Sequence, residues 1–145
     1  MELKAEYAFA ADPEKVYDSL TDIESVKACL PGCESMEQIG ENRYKAVMSI
    51  GVAAVKGRFE GTVEMRDLNR PTGYTLVVEG KGKQGFMNGE AAVTIAPSEE
   101  GSTLEINATA KVAGPIARVG QRLIGSAAKM VTDKFFGCMK SRVEA

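Results

Sequence analysis

The chain contains no histidine and no tryptophan, only three cysteines, and no apolar run close to a membrane span in length. Each shortage removes a class of function. Without histidine there is no Ser-His-Asp or Cys-His machinery, and the commonest general base and metal ligand is missing. Cys29, Cys33 and Cys138 are too few, and odd in number, for a disulfide framework. Cys29 and Cys33 flank Pro31-Gly32, but carboxylates would have to complete any zinc site; small half-buried thiols and no metal are expected. Eighteen Lys and Arg against 20 Asp and Glu leave a net charge of −2, which speaks against nucleic acid as the partner. The opening MELKAEYAF alternates and carries charge, unlike a signal peptide, and no stretch reaches the ~18 apolar residues of a span. The expectation is one cytoplasmic domain over residues 1–145.

What the chain does have is a long tract of period-two sequence followed by one long amphipathic stretch. Leu3, Ala5, Tyr7 and Phe9 share one face of a first strand. Asp12-Pro13 then opens a helix, with Asp12 as cap and Pro13 at the first helical position, and Thr21 or Asp22 caps a second short helix ending at Leu30-Pro31-Gly32. Strands follow at about 33–39, 42–50, 55–68, 73–81, 85–96 and 102–112, separated by turn-forming clusters such as Asn69-Arg70-Pro71-Thr72-Gly73. Phe59, Gly61, Val63 and Met65 face one way while Arg58, Glu60, Thr62 and Glu64 face the other, the mark of an antiparallel sheet with one wet side. In such a meander alternate loops share an end, so the loops at 30–32, 51–54, 82–84 and 113–115 should gather at one mouth.

From Pro115 to Val143, apolar residues recur at three- and four-residue steps (Ile116, Val119, Leu123, Ala127, Met130 or Val131, Phe135, Cys138). The spacing predicts a helix of roughly 27 residues, about 40 Å long. A sheet curled around it would enclose a space, and many inward positions are small: Gly57, Gly61, Gly89, Ala91, Ala108, Ala110, Ala127. An unrelaxed void of ~300 Å³ would cost roughly 7 kcal/mol, comparable with the ~5–15 kcal/mol stability of a whole domain. Such a space collapses, takes up water, or is kept for an apolar guest.

The order strand, two helices, six-strand meander and long helix resembles the helix-grip fold of the START and Bet v 1 superfamily: an α+β fold whose strongly curved seven-stranded antiparallel sheet wraps a long C-terminal helix. More narrowly, Leu30-Pro31-Gly32-Cys33-Glu34, Lys56-Gly57-Arg58-Phe59-Glu60-Gly61, Gly80-Lys81-Gly82 with Gly85-Phe86, and Ala113-Gly114-Pro115-Ile116-Ala117 with Gly120, Arg122-Leu123-Ile124 and Phe135-Phe136 resemble the G-subunit family of carbon monoxide dehydrogenase. Together they cover nearly the whole chain. The resemblance implies an accessory protein that matures a molybdenum hydroxylase or attaches it to the inner face of the membrane. It also implies an apolar cavity, with no covalent cofactor and a lipid or quinone as the guest.

On this reading Phe59, Val63, Met65, Leu76, Val78, Val93, Ile106, Leu123, Ala127 and Met130 line a cavity for an apolar small molecule; the bland alternative is that they pack against one another. Leu30, Pro31, Ala53, Ala54, Val55, Phe86, Pro115 and Ile116 form its mouth, either exposed for peripheral membrane contact or folded over to close it. Arg118, Arg122 and Lys129 belong to a basic strip for docking a partner or phospholipid headgroups, or to an ordinary solvated face. No catalytic residue is assigned, because Glu90 and Glu105 fall on the wet face. A cargo-free adaptor and a small-molecule enzyme of the same superfamily are the competing readings.

Overall fold

A computed structural model of the chain describes residues 1–52 and 55–145. Among these, strand β1 (Glu2–Phe9) leads into helices α1 (Pro13–Leu20) and α2 (Ile23–Cys29). Strands β2 (Cys33–Gly40), β3 (Arg43–Val52), β4 (Val55–Asn69), β5 (Gly73–Gly82), β6 (Gly85–Ser98) and β7 (Gly101–Ala113) follow. A short 3-10 helix, Pro115–Val119, precedes the final helix α3 (Gln121–Glu144). The strands form one antiparallel sheet in the order β1-β7-β6-β5-β4-β3-β2. This is the helix-grip architecture expected from the order of elements.

Local chemistry explains the helical bracket after β1. The Asp12 carboxylate accepts from the Lys15 amide at 2.9 Å, and Pro13 sits where its missing N–H costs nothing. Of the two candidate caps for α2 it is Asp22 that acts, accepting from the Ser25 amide and, at 2.7 Å, from its hydroxyl. Each such cap contributes about 1 kcal/mol. The bracket buries Val16, Tyr17, Leu20 and Cys29 in one large cluster with Phe9, Tyr74, Val93, Ile95, Leu104, Phe136, Met139 and Val143.

Two sequence expectations need correction. The C-terminal stretch is two helices, not one: Gly120 takes φ +96°, a value that L side chains rarely adopt, and the chain breaks there. Helix α3 is therefore 24 residues, about 36 Å. Close packing on the sheet does not explain Gly120 or Gly125, since a Cβ at either would meet nothing within 4 Å. Nor are all three cysteines thiols: Cys29 and Cys138, 109 positions apart in sequence, are joined by a disulfide that ties α2 to α3, with Cα atoms 5.4 Å apart. Cys33 remains a thiol, and burial raises its pKa.

Candidate functional site

The inward face of the sheet can be read as rows running across the strands. Near the bracket, Tyr74 pairs with Val93 and Val93 with Ile106, all buried in the large cluster. At the opposite end a second, smaller cluster joins Val55 and Phe59 of β4, Ile116 of the 3-10 helix and Ala127 of α3, with Ile50, Val112, Val119 and Ile124 packed against it. Between them lies the row Tyr44–Val63–Val78–Gly89–Ala110. Tyr44 at its end is buried in the large cluster, but Val63 and Val78 are half-buried and belong to neither cluster. The hydrophobic core is thus split in two, and the interval is lined by valine, glycine and alanine.

The ten residues expected to line a cavity therefore separate. Met65, Val93 and Ile106 are buried in the large cluster, with Leu76 half-buried against it. Phe59 and Ala127 are buried in the small cluster. Val63 and Val78 occupy the interval. Leu123 and Met130 do not face inward: they are 42% and 44% exposed. The period of α3 is as expected, but its stripe is centred on Ile124, Ala128, Val131 and Phe135, which are half-buried, leaving Leu123 and Met130 on its flank.

The mouth loops do converge. The Ser49 amide donates to the Gly32 carbonyl at 2.8 Å, and the Ile116 amide to the Gln84 carbonyl at 2.6 Å. Arg58 Nε donates to Glu34 at 2.8 Å, and a Cβ on Gly57 would press on the Gln84 side chain. Segments 30–34, 49–52, 55–58, 84–85 and 113–116 are thus linked at one end of the sheet. Within this group Val55 and Ile116 turn inward and are buried, Leu30 and Pro31 are half-buried, and Phe86 and Pro115 are exposed. Ala53 and Ala54 lie outside the described residues. Two open depressions lie elsewhere: one of about 680 Å³ between Met1–Lys4 and Gln121–Lys129, and one of about 250 Å³ on the wet face.

The basic strip is also divided. Lys129 Nζ donates to both oxygens of Asp133, at 2.7 and 2.8 Å, and Asp133 further accepts from the Tyr7 hydroxyl at 2.6 Å. These bonds, that from Lys129 foremost, hold the Asp133 carboxyl below its ordinary pKa. Burial, and then the Asp133 carboxylate, push the Tyr7 phenol up. Tyr7 also stacks on Phe136, ring centroids 4.5 Å apart, so Lys129 belongs to a structural joint between β1 and α3. Arg118 and Arg122 are exposed and make no ion pair among the described residues.

Sequence reasoning missed the separate 3-10 helix that carries Ile116, the Tyr7–Asp133–Lys129 joint and the Cys29–Cys138 bond. Gly114-Pro115 and Gly120, bracketing five residues, were the available signal for the first. Nothing local signalled the other two. Among the described residues no group of three or more acidic or sulfur ligands is placed to hold a metal, and no helix is long and apolar enough to cross a membrane.

Comparison with known proteins extends these observations. Residues 6–144 match the family model for CoxG, the G-subunit of carbon monoxide dehydrogenase. A conserved protein from Geobacillus kaustophilus of known crystal structure is 34% identical, with a TM-score of 0.95 over 99% of this chain and 95% of that one. A START superfamily protein from Mycobacterium smegmatis shares 13% identity and the same fold, with a TM-score of 0.77 over 99% and 97% of the two chains. A Thermus thermophilus protein, 21% identical, superposes with a TM-score of 0.72 over 99% and 97%. No functionally curated protein matches the sequence.

Proposed function

The chain belongs to the CoxG family, named for the G-subunit of carbon monoxide dehydrogenase, and from that premise we propose that it is a non-catalytic carrier: it holds a lipophilic molecule, a lipid or an isoprenoid quinone, between sheet and α3. On this proposal it serves a molybdenum hydroxylase of the carbon monoxide dehydrogenase type at the inner membrane surface. The family supports an accessory role beside such an enzyme, and the START-like fold supports ligand binding in general. The observation that carries the reading furthest is the split core. Val63, Val78, Gly89 and Ala110 form an apolar row that neither packed cluster reaches. Half-exposed valines facing a helix lose contacts that a close-packed interior would supply, and an apolar guest restores them. The absence of histidine, and the exposure of Glu79, Glu90 and Glu105, favour binding over catalysis.

Native mass spectrometry of protein purified without detergent tests this. The expected result is a population heavier than the chain by the mass of one apolar small molecule, released in organic solvent. Protein that carries nothing and takes up no offered quinone or fatty acid overturns the reading.

The exposed Arg118 and Arg122, which make no ion pair among the described residues, favour a second reading, a cargo-free adaptor that docks an acidic partner. Capture of the dehydrogenase by wild-type protein but not by the Arg118→Glu/Arg122→Glu variant, with no cargo found, would establish it. Equal capture by both removes the arginines from that role.

A further inference from the structure

We propose that Pro115–Val119 is a lid over the interval between the two clusters, and that Ile116 is its plug; the proposal rests on the carrier reading above. The small cluster is drawn from every side of the mouth. Val55 and Phe59 come from the start of β4, Ala127 from α3, and Ile116 from the 3-10 helix that bridges β7 to α3. Phe59 lies two inward rows beyond Val63–Val78–Gly89, with Gly61–Gly80–Met87–Val112 between, so a molecule held on the valine row can leave through this end only if the cluster opens.

Of the cluster's members, Ile116 stands on the segment best built to move. The 3-10 helix is bounded by Gly114 at φ +87° and Gly120 at φ +96°, backbone settings in which glycine is free and other residues are strained. No side chain caps either this helix or the start of α3. Ile116 is buried and Val119 half-buried against the same cluster, whereas Pro115, Ala117 and Arg118 are exposed, so Ile116 is the one fully buried side chain of the segment. Among the described residues the backbone adds one link from this segment across the mouth, from the Ile116 amide to the Gln84 carbonyl at 2.6 Å. Rotation about the two glycines withdraws the isoleucine without disturbing the ladder of β7 or the anchored second half of α3. A segment with few buried contacts and exposed backbone opens locally at a cost well below that of global unfolding, and such gating sets exchange rates more than affinity.

Two measurements on the full-length protein test the lid. The first is hydrogen exchange of the wild-type chain: amides of residues 114 and 116–120 should exchange together, at least about tenfold faster than those of β7 and of residues 135–143. Exchange of the Ile116 amide only at the global unfolding rate overturns the proposal whatever the protein binds. The second is stopped-flow uptake and release of cis-parinaric acid by wild type, Ile116→Val and Ile116→Ala. Both rates should rise, by about tenfold for alanine and less for valine, with the dissociation constant changed less than about threefold. Ala117→Ser, at an exposed position on the same segment, should leave both rates unaltered. Uptake by every variant at wild-type rates overturns the lid while sparing the carrier. No uptake by the wild type, of this probe or of an offered quinone, overturns both.

Discussion

In the second half of α3, Phe136, Met139 and Val143 are buried, Phe136 stacks on Tyr7, and Cys138 is bonded to Cys29. In the first half only Ala127 is buried, while Leu123 and Met130 stand out from the surface. One continuous helix is thus anchored at one end by packing and a covalent bond, and at the other by a small cluster that includes a detachable isoleucine. The apolar stripe is similar in both halves, so helical period alone does not decide how tightly each is held. What differs is what it faces: α1, α2 and β1 on one side, and the small cluster on β3 and β4 on the other. The fold concentrates its stability at the bracket and leaves the mouth adjustable.

Removing the covalent anchor should have the largest effect. Cys138→Ser opens a loop of more than 100 residues and should lower the unfolding free energy by about 4 kcal/mol in urea titrations. A loss below about 0.5 kcal/mol would show that packing alone anchors the helix. Next, Met139→Ala should cost about 3 kcal/mol, because the side chain is fully buried, whereas Leu123→Ala should cost less than about 0.5 kcal/mol. Equal costs would erase the contrast between the halves. Enlarging the interior sharpens it further. Val93→Leu, in the large cluster, should destabilise by about 1–3 kcal/mol through overpacking. Val78→Leu, in the interval, should be within about 0.5 kcal/mol of wild type by the same titration and should weaken binding of a bulky guest.

The smallest effect concerns the joint between β1 and α3. Because the folded Asp133 pKa lies below its unfolded value, its contribution is present above pH ~4 and is lost as pH falls through the depressed folded value. For a pair this exposed, an i, i+4 ion pair contributes about 0.5 kcal/mol. Asp133→Asn should therefore lower stability slightly at pH 7 and flatten the acid limb of a stability–pH curve. An unchanged acid limb would remove Asp133 from the joint.

Much of this was legible in the sequence because it is local. Alternation at Phe59–Met65 and Leu104–Val112 marks inward faces by itself, Asp12-Pro13 and Asp22 carry their own capping chemistry, and the parity of a meander places the mouth. What could not be read depends on distance between elements. The period of α3 put Leu123 on a stripe, yet only the path of the sheet decides whether the stripe's flank is covered. Gly120 and Gly125 look alike in sequence, and only the first breaks the helix. Cys29 and Cys138 meet because two helices cross, which no spacing rule reports. For the site itself the sequence supplied the inward set of β4–β7 residues, but not their division between two packed groups and the row between them.

The Cys29–Cys138 bond has a topological consequence. It closes a ring that contains β2 through β7, the lid and most of α3, and leaves β1, α1 and most of α2 as one tail and residues 139–145 as another. A protease that clips any hairpin tip inside the ring severs the backbone without releasing a fragment. On a denaturing gel the nicked chain would migrate as one species until a reductant is added, when two bands would appear.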